Sequence, residues 1–204
     1  MNKVTSDPTV RMLNLQLPTD PRWVNLAEMD LGEILTDHAY CEQKATTSCI
    51  SLVQGYPDYP ELVAAVAPVV SEEWGHFRAV LAELERRGLP LGRQRKDEYV
   101  NGLMQHLRRG GGREQSLLEK LLLCALIEAR SCERFRLLSL YCADADLRTF
   151  YHKFMVAEAG HYVLFIDLAR KYFPREVVDD RWREFLAFEA ELLAGMEPRG
   201  DRMH

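Results

Sequence analysis

Six residues in this chain have types and spacings that can do chemistry together. Glu42, then Glu73 with His76, then Glu128, then Glu158 with His161, read in order as Glu, Glu-x-x-His, Glu, Glu-x-x-His. On a helix, residues three apart lie on one face a turn apart, so each Glu-x-x-His offers a carboxylate and an imidazole to the same point. This is the donor set with which a four-helix bundle holds two metal ions in its core. Oxygen and nitrogen donors without thiolate suit iron or manganese better than structural zinc. Two irons among carboxylates can activate dioxygen, so the chemistry on offer is oxidation. By the usual arrangement of such bundles, Glu73 and Glu158 are expected to bridge the metals and Glu42 and Glu128 to bind terminally.

The elements that must position these residues are helices; strand signals are scarce. Spacing of three and four links Leu31, Leu35, His38, Glu42, Ala45, Cys49 and Leu52 on a first helix, from about Leu26 or Asp30 to Val53. It links Leu62, Val66, Val69, Glu73, His76 and Val80 on a second, from about Tyr59 to Arg87, where Gly88 and Pro90 form a stop signal and Pro68 predicts a kink or a break. A short amphipathic piece, Asp97 to Leu107, precedes the hinge-like Gly110-Gly111-Gly112. A third long helix, about Glu114 to Cys142, carries Leu121, Cys124, Glu128, Ser131, Phe135 and Leu138 on one stripe. A fourth, about Asp144 to Tyr172, carries Tyr151, Phe154, Glu158, His161, Phe165 and Leu168. A last helix, Asp179 to Leu193, is expected to pack on the outside, and the polar ends, Met1 to Pro8 and Glu197 to His204, to be disordered.

Each stripe faces a core, and each has a glutamate where a leucine belongs. A lone buried carboxylate costs several kcal/mol of desolvation, and four cost more unless cations neutralise them. The halves also repeat: Glu42 to Glu128 spans 86 residues, while Glu73 to Glu158 and His76 to His161 each span 85. The expected architecture is therefore all-α: a ferritin-like four-helix bundle with one long crossover and extra peripheral helices. The expectation is a single domain over residues 1–204, its core at about 26–195. Other polar residues weigh less. Glu72 leans off the stripe toward the surface. Glu133 lies on another face, where a salt bridge is expected. His38, one turn before Glu42, fits either a position behind the ligands or on a substrate cavity, or else a packed core histidine, and His106 and His152 read as surface.

Bulk properties narrow the function classes. The 204 residues are 47% hydrophobic and 28% charged, ordinary for a soluble domain. The longest apolar stretches, Leu62 to Val70 and Leu121 to Ile127, are too short to cross a bilayer. Asp7, Pro8 and Arg11 stand where a signal peptide would need an apolar run, so export is not expected. The five cysteines, Cys41, Cys49, Cys124, Cys132 and Cys142, lack Cys-x-x-Cys spacing and read as reduced thiols of a cytoplasmic protein. The net charge is −5, yet residues 86–113 hold eight basic side chains against Asp97 and Glu98, a local excess of six that leaves the rest of the chain at −11. Within that segment Arg93, Arg95, Lys96, Arg108, Arg109 and Arg113 are candidate contacts to a phosphate backbone, against the plainer reading of a solvated loop.

The blocks Asp37-His38-Ala39-Tyr40-Cys41-Glu42-Gln43-Lys44-Ala45, Glu72-Glu73-Trp74-Gly75-His76-Phe77, Ile127-Glu128-Ala129-Arg130-Ser131-Cys132-Glu133-Arg134-Phe135 and Glu158-Ala159-Gly160-His161-Tyr162 resemble those of bacterial tRNA-(2-methylthio-N6-isopentenyladenosine) hydroxylases, the MiaE family. The resemblance runs from about Leu26 to the last helix, with no departure at the six ligands. It implies a non-haem di-iron monooxygenase that uses two iron ions and dioxygen to hydroxylate the isopentenyl group of the modified adenosine beside the anticodon. It also implies a tRNA partner and an external reductase or electron-transfer protein. The chain itself carries no nucleotide-binding glycine fingerprint and no cluster-binding cysteines. A monomer or small oligomer with no membrane partner is expected. The rival readings are bacterioferritin-like iron storage, which shares both Glu-x-x-His motifs, and rubrerythrin-like peroxide scavenging.

Overall fold

The computed structural model describes residues 13–204. Among them are seven helices and no strand: α1 (Trp23–Met29), α2 (Leu31–Gly55), α3 (Pro60–Arg86), α4 (Glu98–His106), α5 (Arg113–Tyr141), α6 (Ala145–Tyr172) and α7 (Arg175–Ala194). The expected segment Met1 to Pro8 lies outside the described residues. The chain divides into two compact units, residues 25–96 with 199–203, and residues 13–24 with 97–198 and 204.

The first unit is built on the α2–α3 hairpin. Asp30 caps α2 by accepting a hydrogen bond from the Glu33 N–H at 3.2 Å, which separates α2 from the short α1. Pro60 opens α3, where its missing N–H costs nothing. Gly88, at φ 67°, ends it in the left-handed region. Of the kink or break expected at Pro68, the break is corrected: α3 runs unbroken through it. Pro68 and Ala64 are exposed, so water can satisfy the carbonyl that loses its partner, while Val66 and Val69 stay buried on either side. Beyond α3 the chain returns along α2. The Tyr40 hydroxyl donates to the Gly92 carbonyl at 3.0 Å, and the Gly92 N–H donates to the Thr36 hydroxyl at 3.1 Å. A Cβ at Gly92 would meet the Thr36 side chain at 3.2 Å, so this approach depends on glycine.

The second unit is built on the α5–α6 hairpin, with α4 and α7 packed on it. Asp144 caps α6 by accepting from the Asp146 and Leu147 N–H groups. The last helix begins at Arg175, four residues before the expected Asp179, because Pro174 sets the helical entry and Val178 is already buried. It also does more than lie outside. Arg130 on α5, with no exposed surface, donates to Glu189 of α7 at 2.7 and 3.0 Å, to Glu133 at 2.6 Å and to the Leu17 carbonyl at 2.8 Å. Glu133 also accepts from the Thr19 N–H and hydroxyl, so its expected salt bridge is present inside a fully satisfied buried network. The disorder expected for Glu197 to His204 is likewise corrected. In the first unit Met203 is fully buried and its N–H donates to Asp37 at 2.7 Å, while the Asp201 carbonyl accepts from Arg95 at 2.6 Å. In the second, His204 stacks on Tyr99 and lies 2.8 Å from the Ser131 hydroxyl.

Candidate metal centre

Each hairpin gathers three of the six expected ligands. In the first, Glu42 from α2 and Glu73 and His76 from α3 offer ligand atoms that all lie within 4.8 Å of one another. Glu42 is 4% exposed and Glu73 fully buried. The His76 Nδ1 stands 3.3 Å from Glu73 Oε2 and 3.6 Å from Glu42 Oε2. Glu72 points to solvent, as its place off the stripe predicts. In the second hairpin, Glu128 from α5 and Glu158 and His161 from α6 form a matching trio, again with ligand atoms within 4.8 Å. They are 6%, 2% and 5% exposed, and the His161 Nδ1 lies 3.4 Å from Glu158 Oε2.

The electrostatics of the first trio show what the carboxylates require. Burial alone would raise the Glu42 pKa, but hydrogen bonds from His38, His76 and Glu73 outweigh it and hold the group below the ordinary carboxylate range. Burial likewise disfavours a charged His76, yet its hydrogen bonds to Glu42 and Glu73 push it up to about 10. A proton on His76 thus supplies positive charge where a bound metal would supply it, and metal binding must displace that proton. His38, fully buried, reaches Glu42 Oε1 from the other side at 2.7 Å. Of the two readings of His38, this contact favours the position behind a ligand, where it orients the carboxylate.

The donor chemistry of each trio fits a divalent cation. Two carboxylates balance its charge, and an imidazole completes a mixed oxygen and nitrogen set. Thiolates stay out of it. Cys132, one turn beyond Glu128, donates to the Met155 carbonyl at 3.4 Å, and burial followed by the charges of Glu128 and Glu133 pushes its pKa up to about 12. No disulfide joins any of the five cysteines.

The candidate phosphate contacts separate by environment. Arg95 is half-buried, donates to the Glu33 and Asp201 carbonyls and pairs with Glu33, a role in holding the fold. Arg108 is exposed but pairs with Glu184 at 2.7 Å. Arg93, Lys96, Arg109 and Arg113 are exposed. His106 is not a surface residue as expected: it stacks on Phe188 at 4.3 Å and its Nε2 lies 3.0 Å from Arg181 Nη1. His152 is exposed. Sequence reasoning gave no role to Trp74, which lies 47% exposed between Glu73 and His76 with its ring 4.8 Å from that of Phe77. An aromatic on the outer face of a ligand-bearing helix, three residues from a second aromatic, was the available signal.

Residues 7–204 match the family described as tRNA-(MS[2]IO[6]A)-hydroxylase (MiaE). The chain is 35% identical to the tRNA 2-(methylsulfanyl)-N(6)-isopentenyladenosine(37) hydroxylase of Pseudomonas putida, over 78% of this chain and 76% of that one. It is 28% identical to the protein of the same description from Salmonella typhimurium, over 88% and 83%. Among solved structures it is similar to a Synechococcus protein with aldehyde deformylating oxygenase activity, at a TM-score of 0.87 and 35% identity, covering 93% of this chain and 94% of that one. The ferritin-like, all-α fold class read from the sequence therefore stands.

Proposed function

We propose, for a chain that belongs to the MiaE family of tRNA hydroxylases, that Glu42, Glu73, His76, Glu128, Glu158 and His161 together hold two iron ions that drive the family's reaction. The substrate is 2-(methylsulfanyl)-N6-isopentenyladenosine in tRNA, beside the anticodon, and the product carries one added hydroxyl on the isopentenyl group. The observation that carries this reading is the pair of matching ligand trios, one per hairpin, each made of two buried carboxylates and an imidazole, with His161 buried and His76 half-buried. Bound iron supplies the dioxygen and one-electron chemistry that no side chain offers.

The chain's own residues do the rest. Glu73 and Glu158, which share helices with the histidines, would be the bridging carboxylates of such a centre, and Glu42 and Glu128 the terminal ones. His38 fixes the orientation of Glu42 through its 2.7 Å contact. Val69, Val80, Phe154 and Phe165, all buried one or two turns from the ligands on the same helices, keep water from the reacting carbon. Arg93, Lys96, Arg109 and Arg113, exposed along the basic segment, meet the tRNA backbone, with Arg108 joining once released from Glu184. Electrons come from a separate reductase or ferredoxin-like protein in the cytoplasm. No helix is long and apolar enough to cross a membrane. Iron storage and peroxide scavenging lose their standing to the family match.

Nucleoside mass spectrometry tests the reading. tRNA bearing the isopentenyl adenosine, incubated with iron-loaded protein, dioxygen and a reductant, should gain one oxygen on the isopentenyl group. Glu128→Ala protein should leave it unchanged. Oxidation equally rapid in both would remove the six residues from the reaction.

A further inference from the structure

The outer face of α3 carries three side chains that the metal trio does not use: Trp74, Phe77 and Arg78. At about 100° per residue, Phe77 lies about 40° around the helix from Glu73, Trp74 about 60° further, and Arg78 about 40° beyond that. The four therefore form a continuous path over about one and a half turns, from a buried carboxylate, through two aromatic rings, to an exposed guanidinium. The rings lie 4.8 Å apart at 31°. Trp74 is 47% exposed, Phe77 half-buried and Arg78 exposed. A single exposed tryptophan is ordinary, but two adjoining rings beside a guanidinium offer a surface on which a base can stack.

The internal repeat shows that this face is special. Eighty-five residues on, the positions of Trp74, Phe77 and Arg78 are held by Ala159, Tyr162 and Val163. There Tyr162 packs 6.0 Å from Trp182 of α7, so the last helix covers the ring. On α3 the corresponding ring pair keeps its open face.

We propose that Trp74 and Phe77 form a stacking platform for a nucleobase of the tRNA anticodon loop, with Arg78 meeting the adjoining phosphate. The inference rests on the tRNA reading above and adds the surface that places the substrate. Single-stranded RNA is recognised by splaying bases onto aromatic side chains, worth about 1–3 kcal/mol per base, and a cation beside the rings suits the phosphate that follows. The platform lies on the outer face of the helix that carries Glu73 and His76, so a loop base stacked there holds the anticodon loop against a ligand-bearing element. Trp74 and Phe77 are positioning residues; they take no part in bond making.

Metal-free protein and an unmodified anticodon stem-loop RNA provide the test, so that binding is read without turnover. Trp74 is exposed while Trp23 and Trp182 are buried, and its emission should be quenched as RNA binds. Trp74→Ala should weaken binding about tenfold or more, Trp74→Phe should recover most of it, and Arg78→Ala should lower the salt dependence by about one phosphate contact. In the iron-loaded enzyme, Trp74→Ala should raise KM for tRNA far more than it lowers kcat. Unchanged RNA affinity and unquenched emission in wild type would overturn the platform. So would Trp74→Ala protein with normal RNA binding and a lost response to the electron donor, which would make the face a protein-docking surface. Wild-type protein that never oxidises the nucleoside would instead sink the hydroxylase reading, so the two failures are distinct.

Discussion

Glu42 and Glu128 are expected to serve as equivalent ligands, one in each trio. Glu42 accepts from His38 at 2.7 Å and faces a His76 whose pKa is pushed up to about 10. Removing it leaves two imidazoles without their carboxylate, so Glu42→Leu should destabilise metal-free protein by about 3 kcal/mol. Glu128 shares its trio with Glu158 and His161 as Glu42 shares its own with Glu73 and His76. Thermal unfolding after chelation reads the loss in Glu42→Leu, and metal analysis after iron loading should show fewer than two irons per chain in both Glu42→Leu and Glu128→Leu. Two irons retained by either variant would remove that carboxylate from the ligand set.

At the scale of elements, the junction between α4 and α7 titrates. The His106 Nε2 accepts from Arg181 at 3.0 Å, while Arg181 also donates to Glu119 at 2.8 and 2.6 Å and to Glu184 at 2.6 Å. Burial, then the Arg181 charge, lowers the His106 pKa against the weaker pull of Glu119 and Glu184, with Arg108 adding to the lowering. The folded chain therefore binds fewer protons here than the unfolded chain. Stability is complete above the ordinary value of 6.5 and is lost as pH falls through the lowered one. Urea midpoints measured from pH 8 to about 5 should decline, and His106→Gln, which keeps an acceptor but cannot take the proton, should flatten that decline. None of this coupling was legible in the sequence, because His106 and Arg181 stand 75 residues apart: spacing places His106 after Tyr99 and Leu103, and Arg181 between Val178 and Phe185, but does not bring the two together. The long helices and the six candidate ligands were legible for the converse reason: a carboxylate inside an apolar stripe is a local violation, and helical spacing alone exposes it. Pairings such as Arg130 with Glu189, and Asp37 with the Met203 N–H, depend on tertiary placement. The tail that holds Met203 therefore read as disordered. The break at Pro68 failed because exposure, which composition does not reveal, decides whether water can rescue the lost hydrogen bond.

For the whole molecule, the uneven charge governs how a polyanion is met. Outside residues 86–113 the chain carries an excess of eleven negative charges, which repels RNA, whereas that segment carries an excess of six positive ones. Its cations are not equally available. Arg86 and Arg87 pair with Glu83, Arg95 is tied to Glu33 and Asp201, and Arg108 pairs with Glu184. Arg93, Lys96 and Arg109 are exposed, and among the described residues no ion pair engages them. Each phosphate contact on a single strand contributes about 0.7 to the slope of log affinity against log salt. Replacing Arg93, Lys96 and Arg109 together by alanine should therefore lower that slope by about two and weaken tRNA binding several-fold at moderate salt. Arg95→Ala should instead lower the unfolding temperature, with a smaller change in slope. Filter binding across a salt series, with melting curves of the same variants, separates the two. An unchanged slope in the triple variant would show that the segment is solvated surface, and that the tRNA is held by the α3 platform and by other cations. The triple variant keeps Arg78, Arg108 and Arg113, so its affinity should still fall as salt rises, with a slope smaller than that of wild type by about two.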